Sequence, residues 1–158
     1  MPRRRVPTRP LRRADRSRGA VAVEFAILVV PLCVLLFGII NWGLLLGDRQ
    51  AVSQAASEGA RAAAVHPGSD PEKLEAARKA IASTLAPLGV TGCVGEALQP
   101  SGKGQCKVTI GGCDRGALGK DSTSCVRAEV VLDYEAVIPG FGIAVPDVLR
   151  YEASAQVS

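Results

Sequence analysis

The chain has 158 residues, of which 47% are hydrophobic and 22% charged, a size that suits one ordinary domain or a small domain plus a membrane segment. Its net charge of +4 is unevenly spread: residues 1–19 hold eight arginines and one aspartate, whereas the rest holds 11 basic and 14 acidic side chains. A nucleic-acid-binding body would spread basic residues over a folded face, so this acidic body argues against nucleic acid as a partner. The chain contains one histidine, His66, which argues against a Ser-His-Asp triad and against a histidine-rich zinc site.

The segment from Ala20 to Leu46 is almost entirely apolar, with Glu24 and Asn41 as its polar side chains. Its portion Phe25–Leu46 has 22 residues, and a membrane-spanning helix needs about 20. The alternative is a buried core helix, but soluble helices seldom stay apolar on every face for six turns. The pattern therefore predicts a transmembrane helix over residues 20–47.

The charges on either side of this segment predict its orientation. Because the arginines lie immediately before the apolar segment, the positive-inside rule makes residues 1–19 a basic cytoplasmic leader and residues 48–158 an extracytoplasmic domain. A basic nucleic-acid-binding arm is the alternative for residues 1–19. A cleaved signal peptide is disfavoured, because its apolar core is about 7–15 residues long and a small-x-small site follows it.

Glu24 is the most informative residue of the apolar segment, because a carboxylate near the start of a spanning helix costs a few kcal/mol. It ends the run Arg18-Gly19-Ala20-Val21-Ala22-Val23-Glu24. This run resembles the processing site of type IV pilin-like proteins, which implies peptidase cleavage between Gly19 and Ala20. The resemblance also implies that Glu24, fifth in the mature chain, pairs with the Ala20 ammonium of a neighbour. The alternative is a carboxylate at headgroup level that contacts water.

The wider sequence resembles the TadE-like family of Flp (tight-adherence) pilus assembly proteins. The resemblance is carried by Gly19, the run Ala22–Phe25, Pro31, the run Phe37-Gly38-Ile39 and the alanine-rich run Ser57–Ala63. It implies a minor pilin or pseudopilin without enzymatic activity or cofactor. The implied partners are the membrane, a prepilin peptidase, other pilin-like subunits (Flp pilin and TadF-like proteins) and the inner-membrane assembly platform. Major Flp pilins usually have Glu-Tyr where this chain has Glu24-Phe25.

The helix is expected to continue past the membrane to about Val65. Polar residues recur on one helical face from Gln50 to Arg61, and the opposite face is almost entirely small. That small face is formed by Val52, Ala55, Ala56, Gly59, Ala62 and Ala63. It suits close packing either against the protein's own sheet or against another subunit, and both remain open.

A second helix is expected from Ser69 to about Leu85. Ser69 and Glu72 have the spacing of a capping box, and Pro71 lies in the first turn. Its apolar stripe consists of Leu74, Ala77, Ile81 and Leu85, and Pro87 ends it. His66 belongs to the preceding loop.

Short β-type runs follow between glycine-rich turns, at residues 90–94, 107–110, 125–138 and 149–157. The segment 139–147 between the last two runs is expected to be a loop or hairpin tip. The fold class is therefore α+β, with an N-terminal transmembrane helix that continues into a long helix packed on a small antiparallel sheet, as in a pilin-like domain.

Four of the five cysteines, Cys93, Cys106, Cys113 and Cys125, fall in the predicted extracytoplasmic domain. An even number on the oxidising side of a membrane predicts two disulfides, and three pairings are possible. Zinc is the alternative, but the spacings contain no C-x-x-C pair, so no metal site is expected. Cys33 lies in the predicted span and is interpreted as a small apolar residue.

The leading interpretation is thus a non-enzymatic, pilin-like subunit that a prepilin peptidase processes after Gly19. The alternative is an unprocessed single-pass membrane protein with a disulfide-stabilised extracellular binding domain. A membrane-anchored redox enzyme would be a third class, but the chain lacks C-x-x-C and any nucleophile–base pair, so no catalytic residue is assigned.

Overall fold

The computed structural model describes residues 14–114, 120–134 and 146–157. Three predicted segments lie partly outside these ranges. They are the leader at residues 1–19, the end of the β-type run 125–138 and the loop at 139–147. Within them the chain forms helices α1 (Ala14–Val65) and α2 (Asp70–Leu85), a short 3₁₀ helix (Ala86–Leu88), and strands β1 (Gly92–Val94), β2 (Ala97–Gln99), β3 (Gly104–Asp114), β4 (Lys120–Asp133) and β5 (Val148–Gln156).

Helix α1 has 52 residues, which corresponds to about 78 Å at 1.5 Å per residue. It contains Pro31 and ends at Val65, where the sequence pattern predicts its end. Among the described residues it is the one helix long and apolar enough to cross a membrane, which suggests a single-pass membrane protein. The chain divides into two compact units, Met1–Ile39 and Ile40–Ser158.

In the second unit, the small face of α1 is buried in the protein's own core. Val52, Ala55 and Ala56 are almost free of solvent, as are Ala60 and Ala63 one to two turns later. These residues belong to one apolar cluster with residues of α2 and of the sheet. The alanine-rich face therefore packs within the chain, which was one of the two interpretations left open by the sequence.

Gly59 lies at a close approach of α1 to α2. A Cβ built on Gly59 would lie 2.6 Å from Cγ1 of Ile81 and 3.4 Å from the carbonyl oxygen of Ala77. Real Cβ atoms do not approach other heavy atoms so closely, and Ile81 is fully buried, so its side chain has little room to move. The absence of a side chain at Gly59 is what lets the two helices touch.

Helix α2 begins with the contacts that the Ser69–Glu72 spacing predicts. The backbone N–H and the hydroxyl of Ser69 donate to Oε2 of Glu72 at 2.7 and 2.8 Å. These two hydrogen bonds favour the ionised carboxylate and hold the pKa of Glu72 below its usual value. In the preceding loop, Nδ1 of His66 accepts a hydrogen bond from the Gly68 N–H at 3.1 Å.

The five strands form one antiparallel sheet in the order β1-β2-β3-β4-β5. One face packs toward the helices and buries Leu98, Cys106, Val126 and Val130. The predicted α+β class is therefore confirmed. Strand β2 was not predicted, β3 is longer than the β-type run 107–110, and β4 begins five residues before the run 125–138.

The opposite face of the sheet is polar and is crossed by two ion pairs between β4 and β5. Arg127 Nε lies 2.8 Å from Oε1 of Glu152, and Arg150 pairs with Glu129. Each pair joins residues that are diagonal in the β4–β5 register. This face is therefore a solvated surface, consistent with the alternation of side chains along each strand.

Substitution of Gly59 by alanine should destabilise the second unit, although alanine is the better helix former. We expect a loss of about 1–3 kcal/mol, typical of an overpacked core, in thermal or denaturant unfolding of the full chain in detergent. Gly47→Ala is the matched control, because no atom lies within 4 Å of a Cβ built there. Equal stability of the two variants would show that the α1–α2 contact is not tight.

Candidate functional site

The predicted processing residues lie on the exposed N-terminal part of α1. Gly19, Ala20 and Glu24 are all exposed, and no atom lies within 4 Å of a Cβ built on Gly19. Ala20 and Glu24 are four residues apart and share a helical face. Within the described residues Glu24 makes no hydrogen bond or ion pair.

The helix around these residues exposes a long apolar surface. Phe25 is 66% exposed and Ile39 is 71% exposed, and the other large hydrophobic side chains between them are similarly uncovered. Soluble monomers rarely expose an apolar surface of this extent, which is typical of helices that contact lipid or other subunits. Cys33, a free cysteine, lies within this stretch.

The four remaining cysteines form two pairs at disulfide distance. Cys93 is joined to Cys106, with Cα atoms 6.1 Å apart, and Cys113 is joined to Cys125, with Cα atoms 5.0 Å apart. Both separations fall in the usual range for disulfides. Of the three pairings that the sequence allows, the structure thus contains the one that links neighbours in sequence order.

The two disulfides tie together different parts of the sheet. Cys93 lies on β1 and Cys106 on β3, so the first bond links the edge strand to a strand beyond its own partner β2. Cys113 and Cys125 link β3 to β4 beside the register shift between Gly112 and Asp114. The second disulfide therefore joins β3 to β4 at the point where the regular backbone pairing of these strands is interrupted.

A groove between α1 and the beginning of β5 was not predicted from the sequence. It has a volume of about 510 Å³ and is lined by residues 46, 49, 50 and 52–54 of α1 and by residues 146 and 148–151. Arg49 and Arg150 are its charged residues, and both are exposed. Sequence reasoning missed it because the groove depends on which segment of α1 lies beside β5.

Three described residues of the second unit, Asn41, Arg78 and Tyr134, have buried side-chain nitrogen or oxygen atoms without a hydrogen-bond partner, the Arg78 atom being Nε. Asn41 is 1% exposed, and within the described part of the chain neither its amide nitrogen nor its oxygen has a hydrogen-bond partner. The Tyr134 hydroxyl is likewise buried and unpaired there. Burial and the nearby Asp48 carboxylate raise the pKa of Tyr134, so its hydroxyl stays protonated at neutral pH.

The family model described as TadE-like protein matches residues 19–61. This confirms the resemblance inferred from the sequence, and it begins at the glycine of the predicted processing site. The match suggests a Tad pilus-associated, pilin-like protein, and TadE-like proteins are generally structural rather than catalytic. No curated protein and no solved structure matches the chain significantly.

The disulfide pairing can be tested by thiol labelling of the full chain in a Cys33→Ala background. Alkylation without reduction should label no cysteine, and Cys93→Ser should release only Cys106, because the two bonds are independent. Removing one bond by a double substitution to serine should cost about 2–4 kcal/mol of unfolding free energy. Release of Cys113 or Cys125 by Cys93→Ser, detected by peptide mass mapping, would contradict this pairing.

Proposed function

We propose that this TadE-like chain is a minor pilin or pseudopilin for assembly of a Flp/Tad-type pilus, processed by a prepilin peptidase after Gly19. The observation that carries the proposal is the segment Gly19–Glu24. It opens the part of the chain that resembles the family, and it lies on an apolar helix that no described residue of its own unit covers. A carboxylate on such a helix calls for a partner from outside the chain.

The local structure supports a role for glycine at the cleavage site. Residues 14–20 are helical, whereas a peptidase acts on an extended backbone, so the first turns of α1 must unwind before cleavage. Glycine destabilises a helix interior by about 1 kcal/mol relative to alanine and brings no side chain into the peptidase groove. Both properties favour cleavage after Gly19.

Cleavage would give the chain a second charge to match Glu24. Hydrolysis after Gly19 leaves an ammonium group on Ala20, and a membrane holds neither an isolated ammonium nor an isolated carboxylate without a large desolvation cost. Pairing of Glu24 with the Ala20 ammonium of a neighbouring subunit removes both costs. It also sets the stagger between the two helices.

The rest of the proposal follows from the charge distribution and the cysteines. Residues 1–19 form a cytoplasmic leader, residues 20–47 span the membrane and residues 48–158 form the extracytoplasmic domain, where disulfides persist. The chain acts as a structural subunit and not as an enzyme. Its partners are the peptidase, other pilin-like subunits such as Flp pilin and TadF-like proteins, and the inner-membrane assembly platform.

Processing is tested by the N-terminal sequence of the protein recovered from its native membrane. The mature chain should begin at Ala20, and Gly19→Leu should leave the precursor uncut because leucine adds bulk at the cleaved bond. Gly43→Leu is the control, since Gly43 lies on the same helix with no atom within 4 Å of a Cβ. An intact N-terminus in cells with active peptidase would favour the alternative, an unprocessed single-pass membrane protein with a disulfide-stabilised extracellular binding domain.

The pairing role of Glu24 separates cleavage from assembly. Glu24→Ala should insert and be cut normally, because loss of a charge eases insertion and cleavage depends on Gly19. It should then fail to co-purify with other pilin-like subunits, because the unpaired ammonium costs several kcal/mol. Glu24→Gln should behave similarly, whereas Glu75→Ala, an exposed change on α2, should assemble normally. Normal pilus formation by Glu24→Ala would refute the pairing.

A further inference from the structure

Two consecutive charged residues of α1, Asp48 and Arg49, open onto different surfaces of the second unit. Successive residues of a helix are about 100° apart around its axis. Asp48 lines a cavity of about 430 Å³, whose other lining residues are 88, 100–103 and 132–134 and which we call the Asp48 cavity. Arg49 lines the groove with β5. A carboxylate and a guanidinium therefore lie at the same height on α1 but on different sides of it.

The Asp48 cavity contains two carboxylates that the chain leaves without partners. Asp48 and Asp133 both line it, and within the described part of the chain neither forms an ion pair. Burial raises the pKa of Asp48, because nothing around it compensates the ionised form. Tyr134 also lines the cavity, and its hydroxyl is buried without a hydrogen-bond partner among the residues described. Asp48 therefore lacks even this neighbouring donor.

Lys103 is the one cation among the lining residues, and it does not neutralise the cavity. Its ammonium lies beside Gly89, where a built Cβ would be 3.8 Å from Nζ, and it pairs with no carboxylate of the described residues. Two carboxylates against one ammonium leave a net negative charge. The cavity therefore has both the charge and the volume for a second cation.

Arg49 is a cation of matching kind. Its side chain is exposed and forms no ion pair with any residue in the described ranges, whereas Arg61 and Arg150 have carboxylate partners. A guanidinium is the cation best suited to carboxylates, because its N–H donors match them in pairs. Copies of the chain that share one membrane and one orientation carry Asp48 and Arg49 at the same height. The long arginine side chain accommodates a small stagger between neighbouring helices.

We propose that Arg49 of one copy enters the Asp48 cavity of a second copy and pairs there with Asp48 and Asp133. The contact joins two different surfaces of the chain, so it is head-to-tail and can be repeated in one direction, as a filament requires. The inference rests on the assembly of membrane-inserted subunits in the proposed function and names a second copy as a neighbour. It gives the half-buried Asp48 carboxylate a role between subunits.

Cross-linking of two differently tagged full-length copies tests this contact. One copy carries Gln50→Cys, next to Arg49, and the other carries Ser101→Cys, in the lining of the Asp48 cavity; both positions are exposed. Both copies also carry Cys33→Ala, which removes the free cysteine. In membranes of cells that express both, a short bifunctional maleimide should give a mixed dimer. Neither copy expressed by itself should form a dimer, because a head-to-tail contact does not bring identical positions together.

Charge variants identify the ion pair within this assay. Arg49→Glu in the first copy should lower the yield of mixed dimer about fivefold or more, because like charges then face each other. Asp48→Asn in the second copy, which keeps the shape and removes the charge, should lower it as well. Asp133→Lys in the second copy should restore yield to Arg49→Glu, because a new pair replaces the lost one. Arg61→Glu is the control, because Arg61 lies further along α1 and pairs with Glu58 in its own chain.

The other outcomes would overturn the contact. A mixed dimer that Arg49→Glu leaves unchanged would refute the ion pair, and a dimer of the Gln50→Cys copy with itself would refute the head-to-tail arrangement. Cross-links exclusively to another protein would show a different pilin-like neighbour in place of a second copy. The N-terminus of the same sample reports processing separately. Absence of the dimer from chains that begin at Ala20 would refute this contact and leave the proposed function intact, whereas an uncut N-terminus would count against the proposed function at any yield.

Discussion

The lack of side-chain bulk on one face of α1 governs how the second unit packs. Gly59 and the alanines around it let α2 and the sheet approach the α1 backbone, and Ile81 fills the space that a side chain at position 59 would occupy. The cost of this arrangement is that alanine buries little apolar area, and burial contributes about 25 cal/mol per Å². The unit must therefore gain part of its stability elsewhere.

The sheet supplies that stability through covalent links more than through charges. The two disulfides close loops of 13 and 12 residues, and each contributes about 2–4 kcal/mol. The ion pairs on the polar face lie at the surface, with Arg127, Glu152 and Arg150 about half-exposed or more and Glu129 less so, and surface pairs contribute about 0–1 kcal/mol. The disulfides between β1 and β3 and between β3 and β4 therefore contribute more to the free energy of unfolding than the ion pairs between β4 and β5.

The helices could be predicted from the sequence because their signals are local. The end of α1 at Val65 follows from its polar face and from His66-Pro67-Gly68, and the start of α2 follows from the Ser69–Glu72 capping pair. The fold class followed from the same signals together with the β-type runs.

The features that the sequence did not predict depend on contacts between distant segments. Strand β2 has three residues, too few to show alternation, and exists because it pairs with β1 and β3. The cysteine pairing depends on strand register, which spacing does not encode. Asn41 stands out in the sequence as a polar residue of the apolar segment, but its burial and the groove beside Arg49 depend on which segments lie next to α1.

Glu24 poses an electrostatic problem that the described residues do not solve. It lies on the exposed apolar part of α1, and no described residue pairs with its carboxylate. In the sheet, by contrast, Arg127 pairs with Glu152 and Arg150 pairs with Glu129. A carboxylate within a membrane costs a few kcal/mol unless it is paired or reaches water. The proposed ammonium on Ala20 of a neighbouring subunit has the opposite charge and would arise one helical turn from Glu24, so cleavage after Gly19 would supply the partner that the uncut chain lacks.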